Sequence, residues 1–408
     1  MTTRPESLGL SAERLKRLDA HFDAKYVQTG KLPFAMTLVS RKGEVAHHGF
    51  SGLMDEARGK KVEADSLFRI YSMTKPLTSV LFMMLVEEGK VALDDPVHSL
   101  IPSWKNLGVY AGGWDMMASK PCARPMQMVD LLRHTSGLTY GFQQRTNVDA
   151  AYRKHNIGVF ERQISLDATI EALAALPLEF SPGEAWNYSV STDILGYLIG
   201  KIEGRPFEEV LKARLTGPLG MDDTDFQVKA SERGRFAACS AINAKGERVL
   251  NDDPEKSSYL QPPVLVSGGG GLVSTAGDYL KFCQMMLNGG EANGTRFLSP
   301  KTIALMTSNH LPGGVDLPQL SKSLFSEVAY DGVGFGLGFS VTMDPAKTLL
   351  PGTAGEYAWG GAASTAFWID PKEELIVIFM TQLIPSSFYP IRRELRTLAY
   401  SAITESFV

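Results

Sequence analysis

The run Phe68-Arg-Ile-Tyr71-Ser72-Met-Thr-Lys75-Pro76-Leu-Thr-Ser-Val-Leu-Phe-Met-Met-Leu-Val86 decides how the chain folds around a site. A short extended approach gives way to an apolar helix, with a serine at the join and a lysine one turn later. Pro76 lacks an amide hydrogen and is tolerated only in a first turn, where that hydrogen has no helical acceptor. The helix therefore starts near Ser72 and Met73. A spacing of three puts Ser72 and Lys75 on one face, about 5–6 Å apart at their β-carbons. A hydroxyl beside an amine at a helix N-terminus is the arrangement of an activated nucleophile. Ser-x-x-Lys also arises about once by chance in a chain this long, and serine is a preferred helix cap. Two features count against a plain capping role. A first-turn lysine opposes the helix dipole, and Leu77 to Val86 is apolar on nearly every side, which buries the helix.

Working outward, Ser11 to Val27 reads as an amphipathic helix with Leu15, Leu18, Phe22 and Tyr26 on one side. Phe34 to Ser40 and Glu44 to Phe50 read as strands joined by the hairpin signal Arg41-Lys42-Gly43. Past Gly89, which ends the Ser72 helix, the pattern is mainly helical: Met126 to His134, Ser165 to Leu176, Ser189 to Glu203 and Pro206 to Leu215. Gly141 to Ile164 has no strong period and reads as a long surface loop of the kind that often binds ligands. Gly268-Gly-Gly-Gly271 is not followed by Gly-Lys-Ser/Thr, so a flexible or tightly packed turn is expected there instead of a phosphate cradle. Helices over Ala276 to Leu287 and Ser299 to Ser308 follow. Strands are expected at Gly336 to Met343, Ala363 to Ile369 and Leu375 to Gln382, the last two joined through Asp370-Pro-Lys-Glu-Glu374, and a helix over Tyr389 to Ile403.

Strands near both ends, with helices between, predict an α/β fold in which one antiparallel sheet is assembled from the two chain ends and flanked by helices. Residues 1–71 and 270–408 form this sheet domain, and residues 72–269 an inserted, mainly helical domain. The Ser72 helix falls where the two meet, a usual place for a pocket.

Composition narrows the function. The 408 residues carry a net charge of −4, with 44% hydrophobic and 21% charged residues and no long basic run. That argues against nucleic-acid or anionic-membrane partners. The N-terminus has no apolar core of a signal peptide, and no apolar run approaches the length of a membrane span. Cys122, Cys239 and Cys283 are few and far apart, as in a reducing compartment, so a cytoplasmic location is expected. His47-His48 lies in an expected strand, where neighbours face opposite ways, and no other pattern suggests a metal site.

A serine nucleophile needs a base. No Gly-x-Ser-x-Gly elbow occurs, which disfavours the α/β-hydrolase arrangement. The alternative partner is a tyrosine, and the candidate is Tyr188 in Trp186-Asn187-Tyr188-Ser189-Val190. An unperturbed phenol has a pKa of about 10, and a neighbouring ammonium favours its ionised form. On its own, Tyr188 reads equally as a half-buried aromatic at a helix start.

Taken together and in order, Ser72-Met-Thr-Lys75, Tyr188-Ser-Val190 and Trp359-Gly-Gly361 resemble the three motifs of the serine β-lactamase and penicillin-binding-protein superfamily. Leu131-Leu-Arg-His-Thr-Ser-Gly-Leu138 is similar to a segment frequent there. The wide spacing of the motifs resembles class C β-lactamases and family VIII carboxylesterases. The departures favour the second. Val190 stands where class C enzymes carry asparagine. Trp359 stands in place of the lysine of Lys-Thr-Gly, which would have met the carboxylate of β-lactams and peptidoglycan stems. An indole cannot replace that charge, but it can line an apolar pocket.

The resemblance implies a β-lactamase/DD-peptidase-like fold and a serine carboxylesterase acting on small-molecule, short-chain esters without metal or cofactor. Ser72 would be acylated, and Lys75 and Tyr188 would share proton transfer. The oxyanion would be held by the backbone N–H groups of Ser72 and Ala362. Trp359, Gly360, Gly361, Trp186 and Val190 would surround the substrate, while Tyr140 and Phe142 fit pocket and core equally well. Glycines 360 and 361 would allow close approach of the strand, as they would at a simple bulge. The competing activities on the same scaffold are β-lactamase, with slow cephalosporin turnover, D-amino-acid peptidase, and acyltransferase.

Overall fold

The computed structural model describes residues 2–112, 117–158, 163–323 and 329–408. Eight strands form one antiparallel sheet: β1 (Phe34–Arg41), β2 (Glu44–Asp55), β3 (Lys60–Lys61), β4 (Val333–Phe335), β5 (Ser340–Thr342), β6 (Tyr357–Gly360), β7 (Ala366–Asp370) and β8 (Leu375–Met380). Their spatial order is β4-β5-β6-β7-β8-β1-β2-β3, so the two chain ends meet at β8 and β1, with Met380 opposite Met36. The β1–β2 hairpin closes through Lys42 and Gly43, both at positive φ. The β7–β8 hairpin closes through residues 371–374, as its Asp-Pro signal predicted.

The central strands are buried on both faces, and their side chains alternate between two cores, as a period of two requires. Met36, Leu38, Ile376, Ile378, Phe367 and Ile369 point into the larger core. Ala35, Val39, Val377, Phe379 and Trp368 point into the smaller one. The smaller core is covered by the helices nearest the termini, α1 (Ala12–Phe22) and α5 (Ile391–Ser401), which bury Leu15, Leu18, Phe22, Ile391, Leu395 and Ala399. Ser11 caps α1 by accepting from the Arg14 N–H. The larger core holds α2 (Thr74–Glu87), α3 (Ser191–Glu203) and α4 (Ala276–Leu287). In α2, eleven residues are buried, including Lys75. This is the all-round apolar helix expected from Leu77 to Val86, and it forms the centre of the molecule. Between α2 and α4 the regular elements are mainly short helices, and the fold class is the expected one.

Three expectations change in detail. The 141–164 segment is not a plain surface loop. Asn147–Lys154 is a helix closed by a reciprocal Thr146–Asp149 capping box, and Val148, Ala151 and Tyr152 are buried. The cap carries Asp where the usual signal carries Glu or Gln. Residues 159–162 of that stretch lie outside the described residues. The run Gly336 to Met343 is not one strand. Gly336 to Phe339 form the turn between β4 and β5, where a β-carbon on Gly336 would collide with the Met306 carbonyl. Finally, a three-stranded sheet of Cys239–Ile242, Arg248–Asp252 and Leu383–Ile384 was not foreseen. Its strands are short, and the first and third lie far apart in sequence, so no local pattern announces it. Among the described residues, no helix is long and apolar enough to cross a membrane.

Candidate active site

The strand Phe68–Arg69 pairs with Val273–Ser274, and the chain then turns sharply. Tyr71 adopts φ +43°, the left-handed region that side chains rarely occupy. The 3₁₀ turn Tyr71–Met73 carries Ser72 and runs into α2 at Thr74, two residues after the expected start. Strain of this kind persists only where packing over-determines it. Here the Tyr71 ring is buried with Cys239 and Ala363. The Tyr279 hydroxyl donates to the Met73 carbonyl at 2.9 Å, and the Leu272 N–H donates to Thr74 Oγ1 at 3.2 Å.

Lys75, only 2% exposed, lies directly behind Ser72. Its Nζ donates to the Gly269 carbonyl at 2.6 Å, the Tyr140 hydroxyl at 3.1 Å and Ser72 Oγ at 3.4 Å. An ammonium has three N–H donors, and the three oxygens match them. Nζ also lies 4.6 Å from the centroid of the Tyr188 ring, within cation–π range. The tight turn at Gly268–Gly271 thus supplies the lysine with its shortest partner. A β-carbon on Gly269 would sit 2.6 Å from Asp193 Oδ2 and 3.0 Å from the Tyr140 hydroxyl. Asp193 itself is fully buried in the first turn of α3, and it accepts from the Ser267 hydroxyl and, at 3.1 Å, from the Gly269 N–H. Burial pushes its carboxyl above the usual range, while the Lys75 charge pulls it back.

Tyr188 precedes α3. Its ring packs against His134 (4.9 Å between centroids), Tyr140 (5.4 Å), Trp359 (5.6 Å) and Trp186 (6.1 Å). Trp359 Nε1 donates to the Tyr188 hydroxyl oxygen at 3.4 Å. His134, fully buried at φ +58°, has Nδ1 3.2 Å from Ser189 Oγ. Burial, helped by the Lys75 charge, holds its imidazole well below the ordinary pKa. It is a neutral wall behind Tyr188.

A cavity of about 290 Å³ opens over these groups. Ser72, Tyr188, Trp186, Trp359, Gly360, Gly361 and Ala362 all line it, as do Tyr140 and Phe142. Val190 does not line it: only 1% exposed, it packs in the larger core at the start of α3. The glycine pair has steric reasons. A β-carbon on Gly361 would lie 2.5 Å from the Ile70 carbonyl oxygen, and one on Gly360 would lie 2.5 Å from Arg392 Nη2. Gly361 therefore lets the end of β6 abut the turn that carries Ser72. Among the described residues, the amide N–H groups of Ser72 and Ala362 donate to no other acceptor.

Asp193 and Arg392 escaped the sequence reading. An acid in the first turn of a helix reads as a dipole partner, and Arg392-Arg393 after Pro390 reads as a solvated helix start. Only the closed fold shows the first beneath Lys75 and the second against Gly361.

A family model described as Beta-lactamase matches residues 19–401. The chain is 36% identical over 362 residues to protein Rv1367c of Mycobacterium tuberculosis, covering 87% of each chain. It is 30% identical over 395 residues to esterase EstB of Burkholderia gladioli, covering 92% of this chain and 93% of the relative. The solved structure of EstCE1, described as a hydrolase with promiscuous acyltransferase activity, superposes with a TM-score of 0.79 at 24% identity. That match covers 95% of this chain and 99% of the other.

Proposed function

The chain belongs to the Beta-lactamase family, and on that premise we propose that it is a serine carboxylesterase for short-chain esters, acting through an acyl-enzyme on Ser72. The observation that carries the reading is the placement of Lys75 Nζ between Ser72 Oγ, the Tyr140 hydroxyl and the Gly269 carbonyl, against the Tyr188 ring at the floor of one cavity. Similarity to esterase EstB supports the same reaction class.

Ser72 Oγ attacks the ester carbonyl carbon and gives up its proton to Tyr188, acting as the phenolate, whose oxygen accepts from Trp359. Lys75, held by three protein oxygens, steadies the charge on that pair. The carbonyl oxygen becomes an oxyanion that the Ser72 and Ala362 amides receive. Removal of one such donor typically costs about 2.7–4 kcal/mol. The alcohol leaves with the proton held at Tyr188. Water then attacks the acyl-enzyme with Tyr188 again taking a proton, and Ser72 is regenerated. Trp359, in place of a lysine, presents an indole to the substrate, which favours neutral esters over the carboxylates of β-lactams.

Acyl transfer to an alcohol is the second reading, favoured by the aromatic lining of the cavity and by the described activity of EstCE1. Ser72→Ala is expected to abolish p-nitrophenyl butyrate hydrolysis, and a fluorophosphonate probe followed by mass spectrometry is expected to place its label on Ser72. Wild-type turnover in the variant, or a label elsewhere, would overturn the assignment. A large rate gain with added alcohol, at the expense of hydrolysis, would favour transfer.

A further inference from the structure

The guanidinium of Arg392, the second residue of α5, approaches the cavity from beneath β6. Its Nη2 donates to the Gly361 carbonyl at 3.0 Å and to the Thr365 carbonyl at 3.2 Å. The same turn is closed by its own backbone: the Gly361 N–H donates to the Thr365 carbonyl at 2.9 Å, and the Ser364 N–H to the Gly361 carbonyl at 3.2 Å. Ser364 pays for that turn with φ +66°. Gly360 leaves the hollow that the guanidinium fills, since a β-carbon there would lie 2.5 Å from Nη2 and 2.7 Å from Cζ.

The Gly361 carbonyl and the Ala362 N–H belong to one peptide unit. A peptide is conjugated from oxygen to nitrogen, so a cation on its oxygen draws electron density away from its nitrogen and strengthens the N–H as a donor. Hydrogen bonds polarise one another in this way in a low-dielectric site, and a charged partner makes the stronger bond. The two contacts on Nη2 also fix which way the peptide faces.

We propose that Arg392 is a positioning residue for the reaction: its guanidinium orients and polarises the Gly361–Ala362 peptide, so that the Ala362 N–H meets the developing oxyanion. This rests on the esterase reading above and adds to it a residue that does not itself touch the reacting atoms. Lysine at this position keeps the charge but not the planar fork. Methionine keeps much of the length and neither. Gly360→Ala displaces the guanidinium while leaving it in the chain, although its β-carbon would also lie 2.8 Å from the Thr365 carbonyl oxygen and so presses on the turn itself.

The test compares wild type with Arg392→Lys, Arg392→Met and Gly360→Ala, using p-nitrophenyl butyrate for turnover and phenylboronic acid as a probe. The boronate formed on Ser72 puts an anionic oxygen in the hole without requiring turnover. Folded Arg392→Met is expected to lose about ten- to hundredfold in kcat with KM within about threefold of wild type, and to lose phenylboronic-acid affinity in parallel. Gly360→Ala is expected to move the same way, and in a fourth variant, Arg392→Ala, added methylguanidinium is expected to restore part of the activity. If Arg392→Met fails to fold, Arg392→Lys decides, with the same parallel loss of kcat and boronate affinity expected because the planar fork is gone. Wild-type kcat and boronate affinity in any folded variant lacking the guanidinium contact would overturn the proposal while leaving the esterase reading standing. Loss of kcat with unchanged boronate affinity would also overturn it. A wild-type protein that neither turns over ester nor labels at Ser72 overturns both.

Discussion

Gly361→Ala tests whether the close approach of β6 to the nucleophile turn sets the rate. Gly361 is not at positive φ, so the change is steric and not conformational. The new β-carbon would sit 2.5 Å from the Ile70 carbonyl oxygen and against Thr365 Oγ1. Carbon–oxygen contacts normally lie at about 3.3–3.6 Å, so the two segments must separate by about 1 Å. Ile70 is backbone, two residues before Ser72, and cannot rotate away. The separation therefore falls between the two amides assigned to the oxyanion. A misplacement of about 1 Å can lower a rate about a hundredfold, equivalent to about 2.7 kcal/mol in the barrier. Overpacking also costs about 1–3 kcal/mol of stability. The assay is kcat/KM on p-nitrophenyl butyrate, normalised to sites titrated with a fluorophosphonate so that unfolded molecules do not count. Gly234→Ala, with open space around the new carbon, is the control and should behave as wild type. A folded Gly361→Ala enzyme within twofold of wild-type kcat/KM would refute the geometric argument.

Two further outcomes follow from individual contacts. Trp359→Phe keeps an aromatic wall but removes the donor to the Tyr188 oxygen. Its kcat should fall by about two- to tenfold, the range of one net hydrogen bond, with fluorophosphonate labelling of Ser72 slowed by the same factor. Unchanged labelling would detach Trp359 from proton transfer. On β2, burial, with the adjacent His47, lowers the His48 pKa from 6.5 to about 4, and among the described residues its Nε2 has no hydrogen-bond partner. The unfolded chain therefore binds the extra proton first as pH falls. The stabilisation from keeping His48 neutral is present above pH 6.5 and is lost progressively towards pH 4. His48→Phe should flatten the fall in urea-unfolding stability between pH 7 and pH 5, and an unchanged slope would exclude His48 as its source.

Much of this arrangement was legible in the sequence because it is local. The apolar run after Lys75, the position of Pro76 and the two hairpin signals reflect forces that act within a few residues of each other. The joining of both chain ends in one sheet also followed, although which strands pair, β1 with β8, did not. The helix at Asn147–Lys154 was missed because its period is short and its cap uses Asp149. The sheet that joins Leu383–Ile384 to Cys239–Ile242 depends on a parallel contact between distant segments. Gly269, Asp193 and Arg392 were illegible for a related reason. Each acts through a backbone carbonyl or amide, and such a partner leaves no residue type to recognise.

The distribution of charge around the cavity bears on which ester fits. Among the described residues that line it, Arg392 alone is charged, and its Nη2 is held by two backbone carbonyls beneath β6. Lys75 lies below the floor, held by Gly269, Tyr140 and Ser72. Lys75 is thus turned towards the protein and Arg392 is engaged by it, and among the described residues the lining around the Ser72 hydroxyl is rich in aromatic rings, with Trp359, Trp186, Tyr188 and Phe142. An anionic substrate entering this cavity would give up hydration for an aromatic wall, and that desolvation is costly without a paired charge. A neutral ester gives up little, and in the proposed mechanism its carbonyl acquires negative charge only after Ser72 attacks, next to the Ser72 and Ala362 amides. Discrimination between neutral and anionic esters of equal size should therefore appear in KM, where ground-state desolvation is felt, and rate differences among neutral esters should appear in kcat. Paired neutral and anionic p-nitrophenyl esters, such as the methyl succinate ester against the free hemisuccinate, test this directly. Equal KM for the two would mean that a cation faces the cavity after all, and the indole at position 359 would then not explain the preference.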